Sequence, residues 1–158
     1  MRLKSALWSC LSGIVVFGAV SFSPVQAQHA FNDADKAVEY RQKALSLMQN
    51  NFAYLGDMVK GDMEFDGEIF KARAADFSAL SAMPWIGFSQ TGAMPGNNSD
   101  ALPAIWDNWD DFMQRAESFQ QDAAALAAAA ESGNQGDIRK AFMAAAKNCK
   151  ACHDQYKD

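Results

Sequence analysis

From residue 33 onward apolar side chains recur at every third or fourth position, and no stretch alternates apolar and polar as a half-buried strand would. The pattern predicts four amphipathic helices. The first covers residues 33–59, with Val38, Leu45, Met48, Phe52, Leu55 and Val59 on one face, Asn32 or Asp33 as N-cap and Gly61 near its end. The second starts at Asp66 or Gly67 and runs to Met83, burying Phe70, Ala74, Phe77 and Leu80. Pro84 is expected to end it, because the proline ring disfavours helical geometry in the preceding residue. The third covers residues 103–131 and opens on Pro103, which suits a first helical turn. Its inward face holds Ile105, Trp106, Trp109, Phe112, Met113, Ala116, Phe119, Ala123, Leu126 and Ala130. After the break Ser132-Gly133-Asn134, the fourth covers residues 135–156 and turns Ile138, Ala141, Phe142, Ala145, Cys149, Cys152 and Tyr156 to one side.

Two links are short. The one over residues 84–102, with Gly87, Gly92, Pro95, Gly96 and Asn97-Asn98, is long enough to cover something or to cross a bundle. The expected fold is therefore all-α, a single antiparallel four-helix bundle. Alanine-rich runs at residues 123–130 and 144–146 either let helices approach closely or leave room for a large flat group.

Residues 1–27 do not belong to that bundle. Arg2 and Lys4 precede an apolar run at residues 11–20, and Val25-Gln26-Ala27 has the small-x-small form of a cleavage site. This reads as a secretory signal peptide, too short in its apolar part to span a bilayer. Cleavage after Ala27 predicts a mature bundle domain of residues 28–158, located in the periplasm, with no further membrane-spanning stretch. That domain keeps 12 basic and 19 acidic side chains, a net charge of −7, which argues against nucleic acid as a partner. Of three cysteines, Cys10 leaves with the signal peptide.

The remaining two form Cys149-Lys150-Ala151-Cys152-His153, a complete Cys-x-x-Cys-His attachment motif for c-type haem. Two thiols three residues apart on a helix reach one edge of a porphyrin, each adding to a vinyl group as a thioether. The adjacent imidazole, a good iron ligand when neutral, then reaches the metal from one face. A thioredoxin-like pair would need a βαβ setting, and a zinc site about four ligands. A plain disulfide is the third competitor, disfavoured by the far-end position of the pair on its helix. A second axial ligand would have to come from upstream. His29 lies near the mature N-terminus, and Met48, Met58, Met63, Met83, Met94, Met113 and Met143 are the methionines, a residue type more often used as packing.

The chain resembles the cytochrome c′ family, the class II c-type cytochromes, for which this bundle is itself a standard example. Besides the haem motif with Asp154, the resemblance rests on four stretches. They are Tyr40-Arg41-Gln42, Val59-Lys60-Gly61, Ala82-Met83-Pro84-Trp85 and Pro103-Ala104-Ile105-Trp106. It implies one covalently attached haem c and a distal residue three to four places after the Arg-Gln pair. Low-spin relatives carry a ligating methionine there, whereas this chain has Leu45. The resemblance thus implies five-coordinate, high-spin iron that binds nitric oxide and carbon monoxide, discriminates against dioxygen, and accompanies this with electron transfer. It also implies that Arg41 and Gln42 contact a haem edge and propionate, that Asp100 stands beside the haem, and that Trp85, Phe88 and Trp106 wall the distal pocket. Lys157 stands where the best-studied relatives place an arginine near the proximal imidazole; it lacks the planar fork. By analogy with the family the protein would be a homodimer. The alternative is a low-spin His/Met electron carrier using a methionine such as Met48. No enzymatic activity is expected, since a peroxidase would need a distal histidine or arginine pair.

Overall fold

The computed structural model describes residue 31, residues 33–89 and residues 98–158. The predicted signal peptide, His29 and Met94 lie outside the described residues. Five helices and one 3-10 turn follow in order: α1 (Ala34–Lys60), α2 (Gly67–Leu80), the 3-10 turn (Pro84–Phe88), α3 (Ala104–Asp107), α4 (Trp109–Ser132) and α5 (Gln135–Tyr156). The four long ones, α1, α2, α4 and α5, make an antiparallel four-helix bundle. Among the described residues no helix is long and apolar enough to cross a membrane.

Local chemistry sets most of the boundaries. Asp33 caps α1 by accepting from the Lys36 amide at 2.8 Å, and Gly61, at φ 86°, ends it in the left-handed region that a side chain would resist. Asp66 caps α2 through the amides of Glu68 and Ile69, and Asn134 caps α5 through those of Gly136 and Asp137. The first and last helices lie within a residue of their predicted limits.

Two expectations fail. Helix α2 stops at Leu80 rather than Met83, and not for the expected reason, since Met83 stays right-handed helical at φ −80°, ψ −42°. The chain tightens instead: the Met83 amide bonds Leu80 O at 3.0 Å. Ser81 O, which a continuing helix would give to the Trp85 amide, goes to the Trp85 indole Nε1 at 2.7 Å. The expected single helix over residues 103–131 is broken at Asn108, at φ −128°, ψ 45°. Its amide side chain bonds Ala104 O at 3.0 Å, the same carbonyl its own backbone uses. Asparagine competes with helix hydrogen bonding in this way, and α4 begins afresh at Trp109.

Helix α1 packs on α2, α2 on α4, and α4 on α5. Contact between α1 and α5 is sparse and lies at one end. There the Phe52 and Phe142 rings stack 4.4 Å apart, Gly56 lies under Phe142, and Arg139 Nη2 donates to Val59 O at 2.7 Å. Ala123, Ala130 and Ala145 are buried in the bundle core, where small side chains let helices approach closely. The main core cluster runs through Met48, Leu55, Phe70, Phe77, Phe119, Leu126 and Phe142. Phe88, Ile105, Phe112 and Tyr156 form a second cluster, and Leu45 and Trp85 touch both.

The 3-10 turn lies directly on α1. A Cβ on Gly87 would sit 2.8 Å from Arg41 Cβ and 2.9 Å from the Ala37 carbonyl oxygen, and the backbone partner cannot yield as a flexible side chain could. Gly87→Ala is therefore expected to destabilise the protein by about 1–3 kcal/mol, the usual cost of overpacking. Gly67→Ala, which meets nothing closer than 3.9 Å, should be neutral or stabilising by about 0.5 kcal/mol. Denaturant midpoints of the two variants against the parent check the pair.

Candidate functional site

Where α1 and α5 part, a cavity of about 190 Å³ opens between them. Leu45, Met48 and Gln42 line it from α1, and Asn148, Cys149, Cys152, His153 and Tyr156 from α5. Trp85 and Phe88 of the 3-10 turn, Ile105 of α3, and Phe112, Arg115 and Phe119 of α4 complete the wall with Ser99, Asp100, Ala101 and Lys157. The lining is predominantly apolar, as a site for a large flat hydrophobic cofactor must be.

The donor set converges on this space. Cys149 and Cys152 are free thiols, both partly buried. Burial, reinforced by the neighbouring Cys152, pushes the Cys149 thiol up to about 11. Burial also raises Cys152, against the opposing pull of the Arg115 guanidinium. Both thiols are thus held toward the protonated form and line a predominantly apolar surface. Desolvation, and then the Lys157 ammonium, hold the His153 imidazole below its ordinary range, although much of the residue is open to solvent. A neutral imidazole has the lone pair that iron needs. Two adjacent thiols and one neutral imidazole on the wall of an apolar slot fit a c-type haem. Cys149 and Cys152 would hold it covalently and His153 would ligate its iron.

Each residue expected at the site has a definite place. Leu45 lines the cavity on the helix opposite the cysteines, and Met48 lines it one turn further along α1. Gln42 is on the wall, its Nε2 donating to Asn98 O at 2.6 Å. Asp100 is also on the wall, paired with Lys157 Nζ at 3.1 Å. Lys157 thus reaches across to the 98–102 segment. Trp85 and Phe88 line the cavity; Trp106 does not, and its Nε1 donates to Phe88 O at 3.0 Å from behind.

Arg41, which the resemblance pairs with Gln42 at a haem edge, is only 1% exposed and is not among the lining residues. Its guanidinium lies 4.4 Å from the Phe88 ring centroid and 5.8 Å from that of Trp106. Nη1 donates to Gly87 O at 3.0 Å and Nη2 to Ser99 Oγ at 2.9 Å. A planar cation finds aromatic faces and oxygen acceptors there together. Arg41 braces the 3-10 turn and the 98–102 segment, the two pieces that carry Phe88, Ser99 and Asp100 to the cavity.

Sequence reasoning missed Arg115 and Asn148 as wall residues and treated Phe112, Phe119 and Tyr156 as ordinary core. Tyr156 carried a faint sign, standing four residues after Cys152 on the same helical face. Asn148, tied to Asp122 Oδ2 at 3.1 Å, carried none.

Comparison with known proteins agrees with the geometry. A family model described as Cytochrome C' matches residues 36–157. Cytochrome c' from Halomonas halodenitrificans is 37% identical over 130 residues, which cover 79% of this chain and 98% of that protein. Cytochrome c' from Alcaligenes xylosoxydans xylosoxydans is 38% identical over 128 residues, 80% of this chain and 97% of that one. Among solved structures, cytochrome c prime from Shewanella frigidimarina superposes with a TM-score of 0.78 at 41% identity, covering 81% and 98% of the two chains. The nitric oxide complex of a leucine-to-alanine mutant of cytochrome c prime from Alcaligenes xylosoxidans does so at 0.75 and 36%, covering 81% and 98%.

Replacing both thiols, as Cys149→Ser with Cys152→Ser, is expected to leave no haem on the chain after denaturing extraction. The product should also lose cooperative unfolding, because the cofactor fills the gap between α1 and α5. Intact-mass measurement and helical circular dichroism on heating test both parts; a stable haemless bundle would contradict the second.

Proposed function

The chain belongs to the cytochrome c′ family, and we propose that within it this protein is an exported, non-enzymatic gas-binding member with five-coordinate, high-spin iron. It carries one haem c, covalently attached. When bound, that group would supply an iron able to take a diatomic ligand and a one-electron redox change. Cys149 and Cys152 would hold it covalently, and His153 would ligate its iron.

The observation that carries the proposal is Leu45. It stands on α1, across the cavity from the helix of His153, and a hydrocarbon side chain offers no lone pair to a metal. Met48 also lines the cavity, but it is 6% exposed and belongs to the main core cluster one turn away. Among the described residues near Leu45, the Trp85 indole donates to Ser81 O and Gln42 Nε2 gives one of its hydrogens to Asn98 O. Dioxygen needs a hydrogen-bond donor for the charge it draws, whereas nitric oxide and carbon monoxide need less help. A crowded, predominantly apolar wall therefore favours those two. The nitric oxide complexes solved for Alcaligenes xylosoxidans cytochrome c prime support this choice of ligand class. Export to the periplasm follows from the predicted leader. A homodimer is in keeping with exposed Tyr40 and Leu47, seven residues apart on the outer face of α1.

Leu45→Ala should speed carbon monoxide association by about tenfold or more, equivalent to at least ~1.4 kcal/mol removed from the barrier. Flash photolysis reads the rate; an unchanged or slower one counts against Leu45 as the obstruction. The ferric protein should give a high-spin paramagnetic resonance signal. A low-spin signal with a methionine charge-transfer band that disappears in Met48→Ala would establish the electron-carrier alternative instead.

A further inference from the structure

His153 lies in the last turn of α5, where helices commonly fray because the final carbonyls lack intrahelical partners. One side of this histidine is anchored through Cys152. On the other side, among residues 154–156, only Tyr156 is buried, at 2% exposure. Tyr156 sits four residues beyond Cys152, on the same helical face, so the two bracket His153.

The phenol is unusually well held. Its ring stands edge-on to Phe112 of α4, centroids 5.4 Å apart at 86°. Its Oη donates to Asp111 Oδ2 at 2.5 Å. The same carboxylate oxygen accepts from Arg115 Nε at 2.6 Å, and the guanidinium lies 5.9 Å from the tyrosine ring centroid. Gln155 Nε2 adds a longer contact to the phenol at 3.3 Å. The bonds from Arg115 and Tyr156 hold the Asp111 carboxyl below the usual carboxylate range, Arg115 contributing the larger part. A hydrogen bond to an ionised acceptor is about twice as strong as a neutral one. The main chain adds a second tie, since Leu102 N donates to Tyr156 O at 3.0 Å. Asp111 itself does not line the main cavity; Tyr156 and Arg115 do.

We propose that Asp111 is a positioning residue for the iron ligand. By holding the Tyr156 phenol, with Arg115 on the same oxygen, it clamps the last turn of α5 to α4 and fixes the orientation of the His153 imidazole. The inference rests on the reading of His153 as the iron's axial ligand. Another side-chain tie spans the same turn, Lys150 to Asp154 at 2.6 Å, but both groups are solvent-exposed on the outer face, where such pairs contribute little.

The experiment is resonance Raman spectroscopy of the ferrous haem-loaded protein, reading the iron–imidazole stretch, with covalent haem measured separately as the pyridine haemochrome. Tyr156→Phe keeps the ring packing and removes the hydroxyl; Asp111→Ala removes the acceptor. Each is expected to shift and broaden the band without changing haem content. The double variant should add nothing to the larger single effect, as members of one linkage behave. Asp111→Asn keeps an oxygen acceptor for the phenol and should return the band toward the parent position. Asp154→Ala, which breaks the outer pair, should leave the band in place. A parent-like band in Tyr156→Phe or in Asp111→Ala overturns the proposal even if thermal stability falls, because the clamp would then be structural only. An equal shift in Asp154→Ala overturns it too. Absence of any iron–imidazole band in the parent would instead sink the reading of His153 itself.

Discussion

The bundle is closed on three sides and only half closed on the fourth. Helices α1 and α5 meet where Phe52 stacks on Phe142 and Gly56 makes room for that ring. Toward the other end they separate, and the facing side chains become Leu45 and Met48 on one helix and Cys149, Cys152 and His153 on the other. A gap of this size lined with hydrocarbon is unfavourable in water unless something apolar occupies it. The haem c of the cytochrome c′ family is such an occupant, and its covalent tether to α5 means that it is not exchanged. Core packing and cofactor binding are in this sense one interaction, divided between protein side chains at one end and the porphyrin at the other.

Polar groups then place the walls. Among the described residues Arg41 is the largest of the fully buried side chains, and its guanidinium bonds Gly87 O and Ser99 Oγ and lies over two aromatic faces. A buried cation is costly unless it is paired or hydrogen-bonded, so this arrangement leaves the 3-10 turn and the 98–102 segment little freedom. The C-terminal end of α5 is fastened to the same segment. Ala101 and Lys157 form an isolated antiparallel bridge, and Asp158 N donates to Asp100 O at 2.9 Å. The proposed clamp from Tyr156 to Asp111 fastens that end to α4 as well. The apolar slot is thus framed by a few well-satisfied polar contacts, each of which joins elements distant in sequence.

Much of this could be read from the chain alone, because the relevant physics is local. The three-and-four spacing of apolar residues set the four long helices, and Asp33, Asp66, Gly61 and Gly133 set their ends through capping chemistry within a few residues. Cys149, Cys152 and His153 are adjacent on one helix, so their joint approach to a porphyrin edge needs no knowledge of the fold. Leu45 lines the cavity on the helix across from the cysteines, a placement that the packing of α1 and α5 sets rather than the local sequence.

What the tertiary structure decided concerns competition between partners far apart in sequence. Arg41 meets Phe88, Gly87 and Ser99 together, and only the folded chain brings these three to one point. The breaks at Ser81 and Asn108 depended on whether the indole of Trp85 and the amide of Asn108 would take carbonyls that the helices also wanted. Arg115, Asn148 and Tyr156 became wall residues through the pairing of α4 with α5. Periodicity specifies which face of a helix is buried, because that depends on spacing along one chain segment. It does not specify which atom across the interface that face will meet, because that depends on how whole helices settle against one another.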